Sequence, residues 1–320
     1  MSAPGSSDRG YVLHSYPYRE TSLIVEAWTE RHGRMALMAR GARRPKSALR
    51  GVLGPFQPLS LSWFGKGEMK TLKTAEAERV CLPLGGASMM SAFYLNELLL
   101  KLTQREDPHE GLFTAYDEAV ADLRSVSGLR TAEPAADYST ADSSFAGSRI
   151  KSGTTTTVTR HSGLDPVTRH SGLDPVTRHS GLDPESSGLE LTGSRIKSGT
   201  TKHGDGRALE LALRRFEKRL LKELGYALLL ANEAETGAPV AAGREYAYIV
   251  ERGPIPAGSG AMVGDAVKLD GATLLDLENE RFGDARSAGQ AKQLMRYLIN
   301  HFLNGQVLHT RQLVKELQQI

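Results

Sequence analysis

Between Val158 and Pro184 the chain spells VTRHSGLDP three times without a substitution. A second nine-residue word, GSRIKSGTT, flanks this run at Gly147–Thr155 and again at Gly193–Thr201. Gly and Pro in every unit prevent a helix or a long strand from running through it. Each unit offers only Val and Leu for burial, too little to offset about 1–2 kcal/mol per residue of backbone ordering. Repeat architectures mostly use units of about 20 to 50 residues that diverge between copies, whereas these copies are identical. The pattern reads as duplicated coding sequence. Residues 137–206, with 8 Lys/Arg in balance with 8 Asp/Glu, are therefore expected to form a disordered insertion. His161, His170 and His179 recur within it at a fixed spacing, but nothing nearby would orient them, so weak metal binding or none is expected.

The fold must then come from residues 1–136 and 207–320. No apolar run approaches a membrane span, Ala227–Ala231 being typical. The opening MSAPGSSDRG lacks the apolar centre of a secretory signal. Cys81 is the only cysteine, which excludes an internal disulfide and a thiolate-rich zinc site. These features lead to the expectation of a cytoplasmic protein with no membrane association.

Five short extended segments are predicted before residue 80: Gly10–Tyr16, Thr21–Thr29, Arg34–Arg40, Pro58–Phe64 and Met69–Ala77. Leu59–Trp63 alternates apolar and polar residues strictly, as a half-buried strand does. Five strands in so short a stretch fit a small closed barrel of the OB type, so an α+β fold is expected, with the barrel at residues 1–80. Residues 81–136 and 207–320 are read as two parts of a helical domain. Residues 1–80 also hold the basic excess, 13 Lys/Arg to 7 Asp/Glu, although the net charge is only +3. The excess is densest from Arg34 to Arg50, where no acid occurs. It fits a polyanion partner, and it equally fits a solvated positive face. A flexible or semi-rigid loop carrying Arg40, Arg43, Arg44, Lys46 and Arg50 could follow phosphates without reading bases. Tyr11, Tyr16, Tyr18, Trp28, Phe56, Trp63 and Phe64 are candidates for base stacking, though most of them are expected in the barrel core.

The ordered set Arg19 with Ser22, Gly33-Arg34, ARGARRPKS at Ala39–Ser47, Pro55-Phe56, and Leu72 with Ala75-Glu76 resembles the N-terminal domain of the RecO family of bacterial recombination mediators. FEKRLLKELGYALLL and AKQLMRYLINHFLNGQVLHTRQLVKEL, nearer the C-terminus, are similar to that family's helical domain. The resemblance implies a nucleoid-associated protein that binds single- and double-stranded DNA and anneals complementary strands. It also implies contact with the single-strand-binding protein and loading of RecA together with RecR. The expected DNA contacts are the five loop cations together with Arg19, Arg34, Lys66 and Lys73. Many members carry a four-cysteine zinc module after the FEKRLLKELGY-like helix. Ala231–Pro256 here contains neither cysteine nor histidine, so neither metal nor any other cofactor is expected.

Helical spacing of apolar residues predicts helices over Ser88–Gln104, Glu110–Val126, Leu209–Leu224, Ala285–Leu303 and Thr310–Gln319, with Gly225 as a C-cap and Thr310 as an N-cap. The third presents Arg214, Arg215, Lys218, Arg219 and Lys222 on its polar side, as a solvated face or as a second contact for DNA or an acidic partner. No GxxxxGK[ST], GxSxG or HExxH occurs, and Cys81 has no partner nearby in sequence, so no catalytic residue is expected. Two carboxylate groupings, Asp117-Glu118 with Asp122 and Asp276 with Glu278 and Glu280, read as charged surface. The alternatives left open are an OB-fold RNA-binding factor and a metal-dependent nuclease.

Overall fold

A computed structural model describes residues 6–127, 203–258 and 266–317. The expected insertion lies outside the described residues up to position 202. Helix begins at His203, ahead of the boundary drawn at Gly206.

The N-terminal strands are β1 (Ser6–Tyr18), β2 (Ser22–Thr29), β3 (Gly33–Ala39), β4 (Leu59–Phe64) and β5 (Met69–Ala77). They close into a barrel in the order β1-β2-β3-β5-β4, in which β3 and β5 run parallel and the other pairs antiparallel. Strand alternation sorts the side chains by face. Val12, Val25, Ala27, Met35, Leu37, Leu59, Leu61, Trp63 and Leu72 fill the barrel. Tyr11, Leu13 and Trp28 point outward and join the core of the helices that follow. One wall of the barrel is thus apolar on both sides.

Those helices are α1 (Gly86–Leu102), α2 (Glu110–Val126) and α3 (His203–Glu223). Leu95, Leu98, Phe113, Tyr116, Val120, Phe216 and Leu220 share one core with the outward barrel residues. Asn96 inside this core donates to the Leu13 carbonyl at 2.8 Å and accepts from Tyr116 Oη at 2.6 Å, so its burial is compensated. Two polar joints add to the apolar one. Glu26, buried on β2, meets Arg34 at 3.1 Å and also pairs with Arg105 from the α1–α2 connection. Asp117 on α2 accepts from Tyr11 and pairs with Arg9 at 2.7 Å and Arg79 at 3.1 Å.

The rest of the chain is less helical than the sequence led us to expect. After α3 come β6 (Glu245–Ile249), β7 (Gly253–Pro256) and β8 (Val267–Asp270), then α4 (Gly271–Glu278), α5 (Ala285–Phe302) and α6 (His309–Leu317). The three strands form an antiparallel sheet with β6 in the middle. Tyr246, Tyr248, Leu269, Leu274, Leu294 and Leu298 pack it against α4 and α5. The strands run only 4 or 5 residues and include GPIP, a word that on its own reads as a turn. Within Ala231–Pro256, the turn before β6 is organised by the buried carboxylate of Glu233. It accepts from Thr236 Oγ1 at 2.6 Å and Tyr246 Oη at 3.2 Å, with Arg244 at 3.3 Å. Among the described residues no group of three or more His, Cys, Asp or Glu side chains could hold a metal ion. No helix among them is long and apolar enough to cross a membrane. The architecture is α+β, a five-stranded OB-like barrel followed by helices.

Candidate nucleic-acid interface

The β3–β4 loop carries the basic word, and its apolar residues decide where the charges go. Ala42, Leu49, Val52 and Leu53 turn inward and cover one end of the barrel core. Arg40, Arg43, Arg44, Lys46 and Arg50 are left exposed to solvent. The backbone is a chain of turns. Arg44 N–H reaches the Gly41 carbonyl at 3.0 Å, Ser47 the Arg44 carbonyl at 3.0 Å, and Arg50 the Ser47 carbonyl at 3.1 Å. Gly41 takes the left-handed conformation, φ 66°, that starts the series. Arg43 N–H binds the Thr21 carbonyl at 2.8 Å and Gly41 N–H the Ser22 hydroxyl at 3.3 Å. The loop is therefore fixed to the β1–β2 turn, which contributes Arg19 beside it, and the semi-rigid of the two expected forms is the one found.

Ion pairing separates the two sets of cations anticipated from sequence. No ion pair to another described residue involves Arg19, Arg40, Arg43, Arg44, Lys46, Arg50, Lys66 or Lys73; the guanidinium of Arg19 lies over the Tyr18 ring at 5.3 Å. Lys73 lies two residues beyond Thr71, the partner of Met38, on the same side as Arg40. Lys66 stands apart, in the β4–β5 turn. Arg34 is engaged elsewhere: besides Glu26, it donates to the Thr103 carbonyl at 2.9 Å, and it belongs to the barrel–helix joint rather than to the open surface.

On α3 the basic face meets acids from two directions. Arg215 contacts Glu280 at 3.2 Å and Asp122 at 3.9 Å, Lys218 contacts Glu278 at 3.2 Å, and Arg219 pairs with Glu118. Arg214, expected on the same face, is buried instead and pairs with Glu217 at 2.9 Å; of the other four, Lys222 alone has no ion pair to a described residue. The carboxylates read as loose surface charge are the partners that neutralise this face. Asp276 instead accepts from Ser287 Oγ at 2.5 Å and from Gly283 N–H at 3.2 Å. Burial raises the Asp117 carboxyl, but the bonds from Tyr11 and Arg9 outweigh it and hold the group below the ordinary aspartate range. An anion would have to break these pairs to bind α3, whereas the loop cations are open.

The aromatic candidates also divide. Tyr11, Trp28, Phe56 and Trp63 are buried, whereas Tyr16 and Phe64 are 47% and 44% exposed and Tyr18 is half-buried. Glu97, Glu217 and Glu233, which organise much of the second half of the molecule, escaped the sequence reading, because a glutamate on an amphipathic helix or in a loop carries no signal of its distant partner.

Residues 1–80 match the family described as Recombination protein O N terminal. The protein named DNA repair protein RecO from Nitrosospira multiformis is 38% identical over 310 residues, spanning 97% of this chain and 95% of the relative. Its namesake from Aromatoleum aromaticum is 36% identical over 313 residues, spanning 97% and 95%. That from Thiobacillus denitrificans is 36% identical over 315 residues, spanning 98% and 93%. The apolar core of the barrel, the basic loop on its rim and a likeness running nearly end to end lead to one assignment: this chain belongs to the RecO family of DNA repair proteins.

Proposed function

We propose that this protein is a non-catalytic recombination mediator of the cytoplasm and nucleoid. In this reading the barrel domain, residues 1–80, binds single- and double-stranded DNA through Arg19, Arg40, Arg43, Arg44, Lys46, Arg50 and Lys73, with Lys66 as an outlying contact. The helical domain, residues 81–136 and 207–320, supports the barrel and meets protein partners. The bound strands are annealed. On DNA covered by single-strand-binding protein, the chain acts with RecR to load RecA.

The observation that carries the reading is the separation of charges: the loop cations are open on an anchored backbone, while Arg215, Lys218 and Arg219 are neutralised. Phosphates attract such cations whatever the base sequence, and neutralising them releases counterions. Like charges on two strands repel, and a cationic surface that holds one strand lowers the barrier to the approach of its complement. The test is annealing of labelled complementary oligonucleotides, with and without single-strand-binding protein. Faster annealing, weakened by salt and without strand cleavage, is the expected result. Cleavage that needs a divalent metal would instead identify a nuclease, and strong preference for RNA would identify an RNA-binding factor.

A further inference from the structure

The registers of the barrel align one residue from each strand into a row on its outer surface. Tyr16 of β1 faces Ile24 of β2, Ile24 faces Met38 of β3, Met38 faces Thr71 of β5, and Thr71 faces Phe64 of β4. None of the five belongs to either the barrel core or the helical core. The two ends of the row are its most open members, Tyr16 at 47% and Phe64 at 44% exposure. Strands about 4.8 Å apart make the row about 19 Å long around the curved sheet. On one side it is bordered by Arg40, just past the end of β3, and by Lys73, two residues further along β5; Arg43 reaches the Arg19 carbonyl at 3.5 Å, just past the end of β1. On the other side, Glu26 is shut into its pairs with Arg34 and Arg105. The exposed acids Glu20 and Glu68 lie in turns, outside the row.

A strip that is apolar except for the Thr71 hydroxyl, with a ring at each end and cations along one edge, complements a polymer with flat faces on one side and phosphates on the other. We infer that this row is a base-stacking platform for single-stranded DNA, with Tyr16 and Phe64 carrying the stacking and Arg19, Arg40, Arg43 and Lys73 holding the phosphates. Paired bases in a duplex hide their faces, so the row would distinguish single from double strands, whereas the loop cations would not. This inference rests on the proposed DNA binding and adds the residues that select the strand form.

The test compares a labelled oligothymidine with an abasic oligonucleotide of equal length, by fluorescence anisotropy across a salt series. The unmodified protein should favour the base-bearing strand by about tenfold or more. Tyr16→Ala and Phe64→Ala should each remove about five- to tenfold of the affinity for oligothymidine, with the salt slope unchanged. The double variant should bind both strands alike, while Tyr16→Phe should keep the preference. Arg43→Ala with Arg44→Ala and Lys46→Ala should flatten the salt slope and keep the preference. Equal binding of the two strands by the unmodified protein, or a preference that survives the double variant, overturns the platform and leaves the loop reading standing. The strip would then be a surface for a protein. Failure to bind either strand at any salt removes the platform and the proposed function together.

Discussion

Glu97 caps a helix that begins far along the chain: its carboxylate accepts the N–H of Thr310 at 2.9 Å and the Thr310 hydroxyl at 2.7 Å. The His309 N–H, at 2.7 Å, completes the arrangement. The α6 amides that have no partner within their own helix are thus satisfied from α1, and Thr310 sits inside the helix rather than capping it. Burial pushes the Glu97 carboxyl up, but Thr310, His309 and Lys101 together hold it below the ordinary glutamate range. Replacing Glu97 with Ala should cost about 1–2 kcal/mol. Hydrogen exchange should quicken at residues 309–317 and remain slow in the barrel.

The open loop cations give a quantitative expectation for salt dependence. Each phosphate contact on a single strand contributes about 0.7 to the slope of log affinity against log salt. Replacing Arg43, Arg44 and Lys46 together with Ala should reduce that slope by about two units and change stability by less than about 0.5 kcal/mol. Replacing Arg215 and Arg219 with Ala should leave the slope nearly intact, because those side chains already have carboxylate partners. A slope lost in the α3 variant and kept in the loop variant would move the DNA off the barrel.

Gly33 is the tightest point of the barrel–helix joint. Its φ of 67° is left-handed, and a Cβ there would come within 2.1 Å of the Asp107 carbonyl oxygen. Both the backbone and the α1–α2 connection would have to shift to accept Gly33→Ala, at a cost of about 2–4 kcal/mol. Urea unfolding followed by fluorescence would measure it. An unchanged midpoint would mean that the joint yields easily.

Arg214 and Glu217 form a buried pair on α3, with contacts of 2.9 Å, and Tyr94 Oη donates to the same carboxylate at 2.7 Å. Burial raises the Glu217 carboxyl against the opposing pull of Arg214 and Tyr94. Removing one partner strands a charge in an apolar core. Arg214→Met or Glu217→Leu alone is therefore expected to cost about 3–5 kcal/mol, and the two together much less. Thermal unfolding of the single and double variants gives the coupling; costs that simply add would contradict the pairing.

Asp8 accepts from Arg31 N–H at 2.8 Å and lies 2.9 Å from His32 Nδ1. Burial raises its carboxyl, but His32, Arg31 and the Arg9 N–H outweigh that and bring it below the ordinary 3.8. A carboxyl depressed by folding contributes stability that is present above its ordinary value and lost as pH falls through its lower folded value. Asp117 acts in the same sense. Stability should therefore hold from neutral pH to about 5 and decline steeply below about 4. In Asp8→Asn the decline should be shallower and the neutral-pH stability lower, as urea midpoints against pH would show.

Alternation made the barrel legible: Leu59, Leu61 and Trp63 point inward in a word that could hardly be anything but a strand, and the strand ends fall within a few residues of those predicted. The long helices were legible for the same reason, since Leu112, Phe113, Tyr116, Val120 and Leu123 mark one face of α2. Short elements were not. EYAYI and GATLLDLE are too brief for a period to emerge, and both lie among Gly, Pro and charged residues. Charge was legible in density and not in pairing. The loop showed its openness because no acid is near it in sequence, whereas the acids that quench α3 come from α2 and from the end of α4, distances that only the fold abolishes.

The edge strand β7 has a consequence for how the molecule behaves in a crowd. Pro254 and Pro256 face Tyr248 and Tyr246 of β6, and neither has an N–H to offer outward. The Pro254 carbonyl is already taken by Ala234 N–H at 2.9 Å. An unpaired sheet edge invites strands from other molecules, and proline is among the residues that blunt it. The barrel, being closed, has no such edge. Many copies gathered along one polymer would meet at high local concentration, and at β7 this chain offers little to start growth by strand addition.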